Sequence, residues 1–340
     1  MRSDDAVNLP QPPMVVLGAG SWGSALAILI ARNGREVVLW SHDAEQVVVM
    51  RKQRRNVAFL PEIEFPEKLS VSADLQQVLA TSSEVMVAVP SEAFRIVLER
   101  CQPMMAADVR VSWATKGFDS GSGQLLHQVA AEVCGEGVPL AVISGPSFAH
   151  EVAAGLPTAV TVASNNAQFS HDLSRMLHSD NFRAYSSQDV VGVEVGGAVK
   201  NVLAIAAGIS DGLGYGANAR AALITRGLAE TTRLGVALGG QAETFTGLAG
   251  LGDLVLTCTD NQSRNRRLGL ALAKGDTLDA TLQSIGQAVE GVKTAREVMQ
   301  LAQRYHVEMP IVEQVYRVLY EGCSPRDAVL KLLGRAQKSE

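Results

Sequence analysis

The chain has 340 residues, of which 47% are hydrophobic and 19% charged, with a formal net charge of −5. That length supports a sizeable core and two domains, the apolar content excludes an intrinsically disordered chain, and the acidic balance excludes a general nucleic-acid binder, which would carry a basic surplus. A local cationic pocket for a small phosphorylated substrate is compatible with all three.

Cys101, Cys134, Cys258 and Cys323 are scattered with no CxxC, and the histidines show no HExxH spacing, so neither a disulfide framework nor a metal site is expected. The opening MRSDDAVNLPQPP is polar and proline-rich and lacks the apolar centre of a signal peptide. It reads as a flexible tail over residues 1–13 of a cytoplasmic protein. The apolar run that follows is interrupted by Gly18, Gly20 and Gly23, which argues against membrane insertion.

Met14 to Leu17 is a short apolar strand entering Gly18-x-Gly20-x-x-Gly23. A helical pattern rich in Ala, Leu and Ile follows and stops at Gly34, and EVVLW is a second strand. Strand, glycine turn, helix and strand in this order form the context a dinucleotide-binding fingerprint requires. Gly18 makes the tight turn, Gly20 lets a pyrophosphate approach the backbone, and Gly23 lets helix and strand pack closely. The helix N-terminus supplies N–H donors and a positive dipole end. After Trp40 come Ser41 and His42, where an acid would hold the ribose 2′-hydroxyl of NAD. Asp43 is late for that role. The cations of RKQRRN, Arg51 to Asn56, either meet a 2′-phosphate or form a solvated helix face. The cofactor reading is NADPH preferred, NADH tolerated.

Further buried-type strands end in Val89-Pro90-Ser91, Thr115-Lys116-Gly117 and Ser144-Gly145-Pro146-Ser147. In a parallel sheet such ends line the ligand crevice, which puts Lys116 at its rim. PTAVTVAS and FRAYSS close this half near residue 190. From about Gly192 the spacing becomes helical throughout. The fold class expected is α/β plus all-α: a Rossmann-type dinucleotide-binding domain over 14–191 and a helical substrate domain over 192–340, with the site in the cleft between them. Within the helical part the polar residues cluster. Lys200 and Asn201 interrupt an apolar helix, Asp253 follows GLG, and Glu290 lies in AVEG. Ser263-Arg264-Asn265 reads as an anion clamp, because a guanidinium matches phosphate geometry, or as a basic helix start. Lys200 is either functional or a lysine snorkelling from its helix.

The blocks GAGSWG, NVAFLP, VPS, TKG, SGPSFAHEV, GGAVKNVLAIAAGISDGL, NARAALITRGLAE, GLAGLGDLVLTCT, SRNRRLG and VEG stand in the order found in one family. From about residue 14 to 335 the chain resembles the bacterial soluble NAD(P)-dependent glycerol-3-phosphate dehydrogenases. The resemblance implies reduction of dihydroxyacetone phosphate to sn-glycerol 3-phosphate, feeding glycerophospholipid synthesis, in a homodimer. It makes Lys200 the catalytic acid/base, with Lys116 polarising the same oxygen and Asp253 orienting a lysine. It assigns substrate binding to Lys116, Gly145, Ser147, Lys200, Asp253, Ser263, Arg264 and Asn265. It assigns cofactor contacts to Gly18, Gly20, Ser21, Trp22, Gly23, His42, Lys116, Ala149, Arg264, Ala288 and Glu290. Two alternatives are another two-domain reductase, of β-hydroxyacid or ketopantoate type, and a non-enzymatic dinucleotide sensor. The SRN block argues against the first. The joint presence of Lys116, Lys200 and Asp253 argues against the second, since a sensor needs no proton donor.

Overall fold

The computed structural model describes residues 12–334, so the tail expected over 1–13 lies, but for its last two residues, outside the described residues. One sheet contains β1 (Met14–Leu17), β2 (Val37–Trp40), β3 (Leu69–Ser72), β4 (Glu84–Val87), β5 (Arg110–Trp113), β6 (Leu140–Ser144), β7 (Thr158–Ser164) and β8 (Phe182–Ser187). Its helices are α1 (Ser21–Arg32), α2 (Ala44–Gln53), α3 (Leu75–Ala80), α4 (Ser91–Cys101), α5 (Leu126–Cys134), α6 (Ala149–Ala154) and α7 (Ala167–Leu177). The remainder is helical: α8 (Val190–Gly212), α9 (Gly216–Ala237), α10 (Ala242–Phe245), α11 (Asp253–Thr259), α12 (Arg264–Ala273), α13 (Leu278–Ile285), α14 (Glu290–Arg304), α15 (Pro310–Tyr320) and α16 (Pro325–Leu333). The α/β-then-helical fold class is therefore observed. α8 opens at Val190, capped by Asp189, beside the division expected at 191/192.

The sheet order is β3-β2-β1-β4-β5-β6-β7-β8. The strands from β3 to β6 are parallel, and β1 lies next to β4. The chain therefore leaves β1 and β4 toward opposite flanks, opening a crevice at their carboxyl ends. Side chains alternate across the sheet. Met14 and Val16 pack into one apolar cluster with α1, while Val15 and Leu17 join the cluster of Trp113 and Phe94 on the other face. Both faces are covered, which is why β1 reads as a continuous apolar run rather than an alternating one.

Two features differ from the sequence reading. First, β7 runs antiparallel to β6, and β8 follows β7, so neither of the last two strands extends the parallel sheet. The connection explains it. α6 is only six residues long, about 9 Å at the usual helical rise, too short to carry the chain back along a strand. Second, β3 was not expected. Its LSVS is short and alternates with serine, and its outer edge is finished by arginine. Lys68 and Ser72 carbonyls point to β2, so those of Leu69 and Val71 face outward. Arg54 Nη1 donates to Leu69 O at 3.0 Å, and Arg51 donates to Val71 O through Nη2 at 2.9 Å and Nε at 3.1 Å. The edge carbonyls are thereby closed to a further strand. Of the RKQRRN cations, Arg51 and Arg54 are thus engaged at the sheet edge, Arg55 pairs with Glu64, and Lys52 stays exposed on α2.

α8 is the axis of the helical part. It is long and apolar enough to cross a membrane by length and composition, yet 89% of its most apolar window is buried within the protein. α12 lies against it at unusually close range: a Cβ on Gly208 would meet Arg266 O at 2.1 Å, and one on Gly269 would meet Ile205 O at 2.1 Å. This contact sets the start of α12 beside Lys200 and Asn201. The two parts also meet through α14, whose Glu290, Lys293 and Glu297 lie along one stripe. They contact Ser91, Glu92 and Ser120 respectively.

Candidate active site

The glycine turn after β1 is crowded at Gly18 and Gly23 and open at Gly20. Gly18 has φ +113°, and a Cβ there would lie 2.6 Å from Ala88 O. A Cβ on Gly23 would meet Gly18 O at 2.0 Å, whereas nothing of the protein lies within 4 Å of one on Gly20. Gly20 is the N-cap of α1 and offers no side-chain cap. The first N–H groups of α1 therefore face the crevice with no internal acceptor from a capping side chain, a surface fit for a pyrophosphate. Ser21 is the first residue of α1, and Trp22 behind it buries an Nε1 without a hydrogen-bond partner among the described residues.

Across the crevice, α8 supplies Lys200, which is only 8% exposed. Its Nζ donates to Asp253 Oδ1 at 2.5 Å and to Thr257 Oγ1 at 2.9 Å. The other oxygen of the same carboxylate, Oδ2, accepts from Lys116 Nζ at 2.6 Å. Asp253 thus bridges a lysine from each part of the fold, and its residue is 1% exposed. Lys116 also donates to Gly145 O at 3.2 Å, an oxygen that accepts from Ser147 Oγ at 2.9 Å. A π-helical turn, Leu248–Gly252, delivers Asp253 to the start of α11; such turns are common where function needs a side chain re-aimed. Burial pulls the Lys200 ammonium down from 10.5 to about 8. The Lys116 charge acts in the same direction, and Asp253 opposes both. A lysine so placed exchanges a proton near neutral pH.

The third component is the start of α12. Its first four residues are RNRR, with no acid in the first turn and Ser263 as N-cap. Cations at a helix N-terminus oppose the macrodipole. An anion bound there would reverse that cost. Arg264 is half-buried and makes no hydrogen bond or ion pair among the described residues. Burial lowers its pKa, Arg267 adds to that, and Glu290 opposes. Asn265 is held on both sides: Nδ2 donates to Asn201 Oδ1 at 2.9 Å and Oδ1 accepts from Gly291 N at 2.9 Å. Glu290 itself accepts from Ser91 Oγ at 2.7 Å at the start of α4, and burial raises its carboxyl despite that bond.

A dinucleotide cradle, a bridged lysine pair and an arginine-led helix start thus share one crevice. Two family models match the chain: the N-terminal part of the NAD-dependent glycerol-3-phosphate dehydrogenases over residues 13–170 and their C-terminal part over residues 189–330. The chain belongs to this family. It is an oxidoreductase that uses a nicotinamide dinucleotide. Glycerol-3-phosphate dehydrogenase [NAD(P)+] of Serratia proteamaculans is 57% identical over 98% of this chain and 99% of its own. The crystal structure of glycerol-3-phosphate dehydrogenase from Coxiella burnetii superposes with a TM-score of 0.93 at 52% identity, over 96% of this chain and 100% of that one. A ketopantoate reductase from Ralstonia eutropha, 15% identical with a TM-score of 0.59 over 93% of this chain and 99% of its own, shares the fold alone.

Against this glycerol-3-phosphate dehydrogenase scaffold, the residues singled out from sequence form three groups, with Ala149, Ala288 and His42 apart from them. Lys116, Gly145, Ser147, Lys200 and Asp253 are joined by hydrogen bonds and ion pairs. Ser263, Arg264, Asn265 and Glu290 gather at the start of α12 and α14. Gly18, Gly20, Ser21, Trp22 and Gly23 form the opposite wall. Ala149 opens α6 after the Gly145 turn, and Ala288 is exposed just before α14. His42 is exposed after β2 and makes no side-chain hydrogen bond or ion pair among the described residues. Asp43 is used otherwise, as the N-cap of α2, accepting from Glu45 N and Gln46 N. Sequence reasoning missed Thr257 as a lysine partner. Its signal was available: Thr257 is four residues after Asp253, hence on the same helix face.

Proposed function

We propose that this chain reduces dihydroxyacetone phosphate to sn-glycerol 3-phosphate, reversibly, with NADPH preferred and NADH tolerated. The observation that carries the reading is the meeting, in one crevice, of the Lys200–Asp253–Lys116 bridge with the partner-free Arg264 at the start of α12. The bound cofactor supplies a hydride to the carbonyl carbon. Lys200 donates the proton that the carbonyl oxygen takes up, and in the reverse direction accepts the hydroxyl proton. Asp253 holds Lys200 in place, and Lys116, with Gly145 and Ser147, holds the reacting end of the substrate. Ser263, Arg264 and Asn265 take the phosphate through a guanidinium and the α12 N–H groups.

Gly18, Gly20, Ser21, Trp22, Gly23, Ala149, Ala288 and Glu290 form the cofactor contacts in this proposal, with Lys116 and Arg264 facing both ligands. NADPH is favoured because the end of β2 presents His42 where an acid would repel a 2′-phosphate, and Asp43 is occupied as a helix cap. The same reading divides the chain into 14–191 and 192–340, and places a cytoplasmic homodimer in glycerophospholipid synthesis. The test is loss of the reduced-nicotinamide absorbance with dihydroxyacetone phosphate, with NADPH and with NADH. Turnover with both and a higher kcat/KM for NADPH is expected. No turnover from a protein that binds the cofactor overturns the substrate, and equal kcat/KM values overturn the preference.

A further inference from the structure

Two charges, Arg266 buried and Asp211 largely so, sit where the macrodipoles of their helices disfavour them. Asp211 is in the last turn of α8, and Arg266 is in the first turn of α12. Each is explained by the other. One Nη of Arg266 binds Asp211 Oδ2, the second binds Asn261 Oδ1, and Nε donates to Cys258 O at 3.0 Å. Arg220 of α9 donates to the same Asp211 oxygen at 2.8 Å. A single guanidinium therefore joins three things: the end of the helix bearing Lys200, the last turn of the helix bearing Asp253 and Thr257, and the turn between α11 and α12.

Asn261 and Gln262 are exposed; Asp260 shapes the turn locally, accepting from Gln262 N at 2.7 Å and from Ser263 N at 3.2 Å, and Gln262 Nε2 donates to Glu151 Oε1 at 2.8 Å on the facing α6, whereas Arg266 ties the turn to α8. α12 itself is already seated on α8 through Gly208 and Gly269, so the buried ion pair is not required to dock the helix. What it fixes is the path of residues 260–263, from which Ser263 and Arg264 emerge. We propose that Arg266 and Asp211 are a positioning pair, holding the anion-binding turn in register with Lys200; this rests on reading the start of α12 as the phosphate site. A misplacement of about 1 Å at such a site costs on the order of 100-fold in kcat/KM. Three contacts from one planar group give that control, and a lysine cannot reproduce them.

The experiment compares Arg266→Lys, Arg266→Gln and Asp211→Asn with the wild-type enzyme. The readouts are KM for dihydroxyacetone phosphate, competitive inhibition by inorganic phosphate, kcat and melting temperature. Arg266→Lys keeps the charge and loses the fork, so it should behave like Arg266→Gln. Both should raise KM and the phosphate inhibition constant together by at least about tenfold, with a smaller change in kcat. Asp211→Asn, which keeps shape and volume, should move the same two constants and carries the test if Arg266→Gln does not fold. A wild-type KM in Arg266→Lys, or a lower melting temperature with KM unchanged, would overturn the proposal. If Arg264→Ala leaves KM unchanged and phosphate does not compete with substrate in the wild type, the phosphate-site reading itself fails and takes the proposal with it.

Discussion

Lys200 Nζ and Asp253 Oδ1 lie 2.5 Å apart in a site from which water is nearly excluded. The lysine's ordinary value of 10.5 is nevertheless lowered to about 8, because burial and the Lys116 charge outweigh the carboxylate. Ketone reduction needs the ammonium, so kcat/KM in that direction should fall as pH rises through about 8, while alcohol oxidation should rise over the same interval. Asp253→Asn removes the group that holds the value up, so the limb should move to lower pH. Lys200→Met should cost roughly 100- to 10,000-fold in kcat, the usual range for a general acid. A reduction profile whose limb stays put in Asp253→Asn would separate the carboxylate from the lysine's acidity.

Arg264 offers a guanidinium without a hydrogen-bond or ion-pair partner among the described residues, at a helix N-terminus that also carries Arg266 and Arg267. Truncating a desolvated ion contact costs about 2–5 kcal/mol, and about 1.4 kcal/mol is tenfold. Arg264→Ala should therefore raise KM for the phosphorylated substrate by 10-fold or more, on the order of 1,000-fold at the upper end. A non-phosphorylated ketone such as dihydroxyacetone should be affected far less. Equal losses for the two ketones would show that the arginine does not read the phosphate.

Much of this was legible because the physics is local. The glycine turn, the unbroken apolar run of β1 and the apolar helix around Lys200 each follow from neighbouring residues. The reach of Arg51 and Arg54 to the carbonyls of β3 is not local, and β3 itself hides behind two serines. The reversal of β7 depends on the length of α6, whose end is set by a left-handed Gly155. The bridging of both lysines by one carboxylate needed the crevice to be closed in three dimensions. Lys116 and Asp253 are separated by 137 positions, and spacing within a helix says nothing about such a pair.

The second and third glycines of the fingerprint should fail in opposite ways. A Cβ on Gly23 would meet Gly18 O at 2.0 Å, so Gly23→Ala should lower the melting temperature and the yield of folded protein. Gly20 has φ −79° and open space around its Cα. Gly20→Ala should fold with a loss of at most about 1 kcal/mol from the N-cap change, yet bind the dinucleotide at least about tenfold more weakly, because the added methyl stands where the pyrophosphate must approach. Thermal melting with and without cofactor measures both. A Gly20→Ala enzyme with wild-type cofactor affinity would move the pyrophosphate off this turn.

Glu297 is one of the buried acids that the proposed chemistry does not use. Oε1 accepts from Ser120 Oγ at 3.3 Å across the two parts of the fold, and Oε2 is buried without a partner among the described residues. Burial, with Glu290 and Asp119 nearby, raises its carboxyl from 4.5 to about 7, against the pull of Ser120 and Lys293. A folded-state value above the unfolded one means that folding favours the proton. The contribution to stability is then present below pH 4.5, diminishes as pH rises, and is lost above about 7. At about 1.4 kcal/mol per unit the ionised form costs about 3 kcal/mol in that range. Glu297→Gln keeps the shape and removes the charge. It should raise the melting temperature clearly above pH 7, and scarcely change it near pH 5. An equal gain at both values would assign the effect to packing rather than to ionisation.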